Sequence, residues 1–445
     1  MSNQSTAPTI RLIPESPVNP DVKTYTAHGS LFEAFEYTDW IDESMSWKET
    51  CYIGDWSPLL KFNVEGPDAQ KFFSSIAVNS FASFDIGQAK HMVMCNKEGK
   101  VMGEGILMKR ADDAFLFTSG PGVIWARYLF WKGNFNATAT LIGSFIFQVQ
   151  GPNSLYVLEE ATRESLRDID FMRFRKSKIK GIEITILRQG MSGDIGYELY
   201  GASENGVAIY NAILEAGEKF GIRRLGGRTK MVNHVEACYP TVIVDYMPPF
   251  NADQEFMKYM DAYVPEVRGR WQFKRNGGSF EFDDPNELTR NPVELGWKRN
   301  IKFDHEFLGR ESLEEVVRNP KRGMVTLVWN SDDVLKVYAS MFKKGQPYQY
   351  MEIPRNPLGG NMIVDKVMKG GRMVGLTTSR CYSYYFREML SLCSLDVDLC
   401  QSGTEIMVVW GNPGKPQKNI RATVAPAPYK EDKRRVDVTK LPSNL

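Results

Sequence analysis

Residues 188–201 read RQGMSGDIGYELYG, with four glycines in a dozen positions, an acid after the second and Tyr-Glu after the third. Such a run either holds a phosphate or bends a chain around a flat ligand. A dinucleotide or P-loop site needs a strand before the glycines and a helix after them, so that the phosphate meets the helix N-terminus. IEITILR supplies the strand, but IGYELY alternates as a second strand, and no Lys-Ser/Thr follows the glycines. The stretch is therefore a glycine-bent connection that delivers Glu198 on an ordered strand. On the residues alone, Glu198 reads as an exposed carboxylate at a strand edge.

Outward from this stretch the chain reads as α+β. LKFNV alternates, Gly66-Pro67-Asp68 turns, and AQKFFSSI continues at helical spacing. The device returns at FQVQGPNSLYVLEEA, residues 147–161. Val-x-Gly-Pro-x-small thus occurs twice, which predicts two related strand-to-helix units packed in one α+β lobe. Between them, KHMVMCNKEGKVMGEGILMKR predicts a hairpin about Asn96-Lys97-Glu98-Gly99. VAIYNAILEAGEKFG (207–221) predicts a helix ending on Gly221. Residues 266–293 read as a long loop or linker, and ELGWKRNIKFDHEFLGRESLEEV as a further strand-to-helix segment. From about Arg322, RGMVTLVW, MIVDKVMK, RMVGLTTSR and TEIMVVWG predict a small antiparallel barrel as a C-terminal lobe. The expected organisation is an N-terminal arm (1–30), two α+β lobes (31–320), the barrel lobe (321–428) and a charged tail lying on the surface (429–445).

Composition narrows the function class. A chain of 445 residues exceeds one ordinary core. A net charge of +1, with no basic stripe, gives no footprint for nucleic acid. Six scattered cysteines without CxxC spacing read as reduced, buried thiols, and four histidines without HExxH or HxH argue against a metal centre. The start lacks the apolar stretch of a signal peptide, and no apolar run reaches membrane-spanning length, so a cytoplasmic protein is expected. Nothing indicates an obligate protein partner.

RQGMSGDIGYE resembles the Arg-x-Gly-Tyr-Thr-Gly-Glu-x-Gly-Tyr-Glu signature of the aminomethyltransferase (T-protein) family of the glycine cleavage system. Arg188, Gly190, Gly193, Gly196, Tyr197 and Glu198 stand as in it. Gly54-Asp55-Trp56-Ser57, VEGPDA, VQGP, FLGRESL and VGLTTSRCYSYYF extend the resemblance, in order, from about residue 35 to about 425. It implies a three-lobed, ring-like folate-binding α+β fold with tetrahydrofolate in the central hole. A pterin's pyrimidinone edge offers two adjacent donors, which a carboxylate accepts as a fork. The resemblance gives that work to Glu198, places Arg228 near the folate's acidic tail, and makes Gln150 and Trp297 weaker folate contacts. On the residues alone, Arg228 reads equally as a surface arginine.

The T-proteins carry Gly-Gly-Ile-x-Asp-Asp after the hairpin turn, and here the first acid has become Gly103 and the second Glu104. A second subgroup fits better: EYTDWIDESMSWKETCYIGDWS and NHVEACYPTVIVDYMPPF resemble tetrahydrofolate-dependent aryl O-demethylases acting on vanillate, syringate and related methoxybenzoates. That subgroup relies on a tyrosine matching Tyr246. Breaking an aryl ether leaves a phenoxide, to which a tyrosine can give a proton. The substrate implied is a small aromatic methyl ether. The spots read as Trp56-Ser57-Pro58-Leu59 and Ser119-Gly120-Pro121-Gly122 hold no cation. That argues for an apolar ring, such as a chlorinated methoxybenzoate of the dicamba kind, or for a carboxylate clamp elsewhere. Trp56, His28 and His234 are the candidate substrate contacts. His234 and Glu236 read as a polar layer behind the site, and His91 as a strand residue beside the folate-facing hairpin. Rival readings are a sulfonium or amine donor, and a folate-binding regulatory protein without catalysis.

Overall fold

The computed structural model describes residues 22–28, 31–264, 277–355 and 362–443. The predicted hairpin forms as strands Ala89–Cys95 and Val101–Ala111, with Gly99 at φ +69° closing its turn. These strands edge a five-stranded antiparallel sheet that continues through Ala114–Ser119, Leu60–Glu65 and Thr138–Leu141. A six-stranded sheet runs in the order Phe174–Ile179, Ile182–Arg188, Gly196–Ala202, Ser144–Gln150, Cys51–Asp55 and Ile222–Leu225, its last pair parallel. IGYELY is thus a strand, as its alternation predicted.

The Val-x-Gly-Pro echo marks the same corner used twice, but in different sheets rather than in one lobe. Strand Leu60–Glu65 turns at Gly66 into helix Ala69–Ile76, and strand Ser144–Gln150 turns at Gly151 into helix Ser154–Thr162. Both glycines hold positive φ, +135° and +123°, and a Cβ on either would press on backbone atoms within 2.7 Å. Each corner drives its helix onto its own core. One is aromatic, built on Phe62, Phe72, Phe73, Phe115 and Phe117; the other is aliphatic, built on Val149, Leu155, Leu158, Ile186 and Leu199.

The C-terminal lobe is a closed barrel in the order Arg322–Trp329, Glu388–Asp396, Arg372–Ser383, Asp365–Lys369, Glu405–Trp410 and Lys418–Ala425. Closure removes the exposed edges. Two of its strands, Glu388–Asp396 and Lys418–Ala425, escape the pattern reading. The first, EMLSLCSLD, is buried on both faces except at its ends, so it shows no alternation. Its Cys393 and Leu395 fill the barrel, while Leu390 packs outward beside Trp47 and Tyr52.

The segment from Glu294 differs from expectation. No strand forms there among the described residues; turns and a short helical turn, Lys298–Asn300, lead to helix Arg310–Arg318. Asn291 explains the break, since its Oδ1 accepts the N–H groups of Val293 and Glu294, both at 3.0 Å, and competes with a ladder. This irregular run carries Trp297 and Asn300 to the site.

Candidate active site

A cavity of about 700 Å³ opens where the two sheets, helix Gly227–Glu236 and the C-terminal segment meet. That is within the ~300–1,000 Å³ of pockets that enclose a small ligand. Glu198, Gln148, Gln189 and Tyr200 line it, as do Tyr246, Trp297, His91 and Glu104.

The glycine stretch explains how Glu198 is set. Glu198 lies directly across the sheet from Gln148, and Gly196 from Gln150. A Cβ on Gly196 would sit 2.7 Å from the Gln150 Cγ, so the glycine lets the chain close over that side chain. The loop then donates Met191 N–H and Ser192 N–H to Gln150 Oε1, both at 2.9 Å. Gln150 Nε2 donates to Gln148 Oε1 at 2.9 Å, which turns the Gln148 amide so that its nitrogen donates to Glu198 Oε1 at 2.8 Å. Gln189 Nε2 donates to the same oxygen at 2.6 Å, and the Tyr200 hydroxyl to Oε2 at 2.6 Å. Burial pushes the Glu198 carboxyl up, and these three donors pull it back toward the charged form. A carboxylate has about four acceptor directions, so this one keeps room for a ligand donor. Gln150 itself stands behind the wall, and its part is to orient Gln148 rather than to touch a ligand.

Tyr246 lines the cavity and is completely buried, and its hydroxyl has no hydrogen-bond partner among the described residues. Burial, followed by the charges of Glu104 and Asp245, pushes it well above its usual value of 10, so it stays protonated. Asp245 pins the segment to the barrel: its Oδ1 accepts from Thr378 Oγ1 at 2.5 Å and Ser379 N at 3.0 Å, and its Oδ2 from Thr241 N at 2.7 Å. The Thr-Thr-Ser block therefore fixes the tyrosine from behind. Trp297 meets Tyr246 edge-on at 5.9 Å and His91 at 5.2 Å.

His91 and Glu104 form a pair that pattern reading missed. A bulge between Met94 and Cys95 shifts the hairpin register, and such bulges re-aim side chains. Glu104 Oε2 then lies 2.8 Å from His91 Nε2, while Asn300 Nδ2 lies 2.9 Å from His91 Nδ1. An amide nitrogen only donates, so Nδ1 accepts and the ring proton sits on Nε2, facing Glu104. The neighbouring Gly103 also has a physical reason. A Cβ there would overlap the Cα of Gly122 at the start of helix Gly122–Lys132. Gly103→Asp, the T-protein acid restored, should therefore cost about 3 kcal/mol or more by overpacking, read as a lowered urea midpoint.

The other expected contacts divide. Trp56 lines the cavity, stacked on Tyr52 at 6.5 Å with Lys230 Nζ 4.7 Å over its ring. A cation thus does reach this spot, from a distant helix, and pairs with Glu33 at 2.9 Å. Arg228 lies outside the cavity wall; Nη1 pairs with Glu36 at 3.1 Å and Nη2 donates to Ile353 O at 3.4 Å. Arg228 and Lys230 are two residues apart on one helix and so face opposite sides. The side chain of His28 lies outside the described residues. Glu236 faces away from the cavity and binds Lys48 at 2.7 Å, Trp47 Nε1 at 3.1 Å and Ser383 Oγ at 2.6 Å. His234 lines the cavity and donates Nδ1–H to Lys230 O at 2.5 Å.

Burial holds His234 down at about 4, so it is neutral at pH 7. Below the ordinary histidine value near 6.5 the unfolded chain gains a proton that the folded chain refuses. Stability should therefore fall as pH drops from about 6.5 to 4, by up to about 3 kcal/mol from this residue. His234→Asn should flatten that slope in urea titrations across the range.

The charged tail lies on the surface, with most of residues 430–438 exposed, but it is tied down across the glycine loop: Lys430 and Val438 are buried, Val438 in the aliphatic core, and Arg434 and Arg435 line the cavity. No cluster of three or more potential metal ligands occurs among the described residues, and none of their helices is long and apolar enough to cross a membrane.

Residues 23–260 match the GCVT N-terminal domain, more than half of the chain. The chain belongs to the GCVT family. It is 34% identical over 439 residues to sesamin methylene transferase from a Sinomonas species, covering 92% of this chain and 94% of that one. It is 31% identical over 420 residues to syringate O-demethylase from a Sphingobium species, covering 88% and 89%. The solved aminomethyltransferase T from Bartonella henselae superposes with a TM-score of 0.70 over 96% of this chain and 99% of that one, at 17% identity. That likeness, with the closed barrel, establishes the aminomethyltransferase fold.

Proposed function

We propose that this GCVT-family enzyme is a tetrahydrofolate-dependent O-demethylase, moving a methyl group from an aromatic methyl ether of the methoxybenzoate class to folate N5. One observation carries the reading. A buried carboxylate with an open acceptor direction, Glu198, and a partnerless buried phenol, Tyr246, face the same cavity.

Tetrahydrofolate supplies the methyl-accepting nitrogen and leaves methylated. The chain's own residues do the rest. Glu198 accepts the two donors of the pterin edge, one of them in place of the Gln189 amide it now holds. Tyr246 gives its proton to the ether oxygen as the carbon–oxygen bond breaks, since a phenoxide leaves far more readily when protonated. The acceptor nitrogen must lose a proton in the same event, and Glu104, a wall carboxylate held by His91, takes it. Trp56, Leu59 and Ile106 offer apolar surface to the ring and exclude water. Alignment of the three reacting atoms supplies the larger share of the rate.

That apolar lining favours a lightly polar ring, with chlorinated methoxybenzoates such as dicamba beside syringate and vanillate. The relative at 34% identity, a sesamin methylene transferase, favours a second kind of donor, one that gives up a methylene group. Anaerobic incubation with tetrahydrofolate and a panel of both kinds, scored for phenol and for one-carbon folates, decides between them. Methoxybenzoates should yield phenol and 5-methyltetrahydrofolate one to one. Tight folate binding without turnover of any donor would instead make the protein a folate-binding regulator.

A further inference from the structure

We infer that the C-terminal strap carries a binding site for a ligand carboxylate, with Arg435 as its cation. The strap is built into the fold. Lys430 Nζ, buried, reaches Asp194 Oδ2 at 2.9 Å and Gly193 O at 3.0 Å, and Lys433 N–H donates to Gly193 O at 3.0 Å. Arg188 donates to the carbonyls of Arg434 and Val436, and Arg167 Nη1 to Val438 O at 3.1 Å. Arg188 of the family signature thus holds the backbone at 434 and 436, while Asp194 anchors the strap through the Lys430 side chain.

The two arginines differ in what they have left to give. Arg434 forks onto Asp432, Nε to Oδ1 at 2.7 Å and Nη2 to Oδ2 at 2.6 Å, and also donates to the Tyr239 hydroxyl. Its charge is answered. Arg435 is exposed and forms no close ion pair with a carboxylate among the described residues, though its charge is felt at Asp432; its guanidinium lies 4.4 Å from the centre of the Phe171 ring, which Arg434 also approaches at 5.7 Å. Two cations thus lie against one ring with Asp432 as the acid that answers them, and the cavity wall carries surplus positive charge at that point. The other wall cations are engaged, Lys230 by Glu33 and Lys90 by the Ser80 carbonyl at 2.5 Å. A guanidinium fork resting on an aromatic face is well suited to a carboxylate.

Given the folate reading, that carboxylate belongs either to the glutamyl end of the folate or to the aryl substrate. Arg435→Met keeps the stack on Phe171 and removes the charge. Full-length wild type and variant are titrated with tetrahydrofolate, with tetrahydropteroate (which lacks the glutamyl group), with a methoxybenzoate and with the matching methoxybenzyl alcohol. A loss of roughly tenfold confined to tetrahydrofolate assigns the site to the glutamyl group; the same loss confined to the methoxybenzoate assigns it to the substrate. Arg435→Lys should recover part of either. Equal affinities in wild type and variant for every carboxylate-bearing ligand would overturn the inference. Failure of the folate reading shows differently: neither folate binds wild type, and the two aryl ligands still decide whether Arg435 holds a carboxylate.

Discussion

Tyr246→Phe should cut single-turnover demethylation of a methoxyarene by about 10²–10⁴-fold, the range for a lost, positioned general acid. Tetrahydrofolate affinity should stay within about twofold. The hydroxyl makes no hydrogen bond among the described residues, so its removal breaks nothing seen to hold the fold, and Trp297 still packs on the ring edge. Because burial raises this phenol well above 10, wild-type turnover should show no loss from its ionisation as pH rises to about 9. A tyrosine acting as an anion would give the opposite slope. Substrates with better phenoxide leaving groups need less protonation, so the defect in Tyr246→Phe should shrink as electron-withdrawing chlorines are added to the ring. Turnover unchanged by the substitution would remove Tyr246 from the chemistry.

Local patterns in the sequence predict much of this molecule because many of its elements obey them. The hairpin at 89–111 alternates, IGYELY alternates, and the corners at Gly66 and Gly151 announce themselves by Gly-Pro. Glu198 is legible through the glycine signature. The polar chain behind it is legible only in space, since Gln150 and Gln148 lie forty or more residues upstream on a neighbouring strand. His91 and Glu104 were hidden by a one-residue register shift, which alternation cannot reveal. VNHVEA alternates by accident inside helix Gly227–Glu236, so His234 and Glu236 looked like partners on one face. In the helix they point to different neighbours, one to the cavity and one to Lys48. The strap was least legible. KEDKRRVDV has the composition of a solvated tail, and its attachment rests on carbonyls receiving Arg188 and Arg167, on Lys430 held by Asp194 and Gly193, and on one apolar anchor at Val438. Composition says nothing about such contacts.

The strongest demand on the account falls on Glu198. Glu198→Gln keeps the shape of the side chain but puts an NH2 group in place of one carboxylate oxygen and removes the charge. Two charge-assisted hydrogen bonds to a ligand are worth about 1.5–3 kcal/mol each. Losing them should weaken tetrahydrofolate at least about 100-fold. Stability should change little, since the remaining carbonyl oxygen still accepts hydrogen bonds and the weakening of the others is offset by relief of a buried charge. The measurement is an anaerobic calorimetric titration of tetrahydrofolate into wild type and Glu198→Gln, each first shown to unfold in one transition. Micromolar or tighter binding to wild type and almost none to the variant is what the account predicts. Equal heats from the two proteins would place the pterin away from this carboxylate and contradict it.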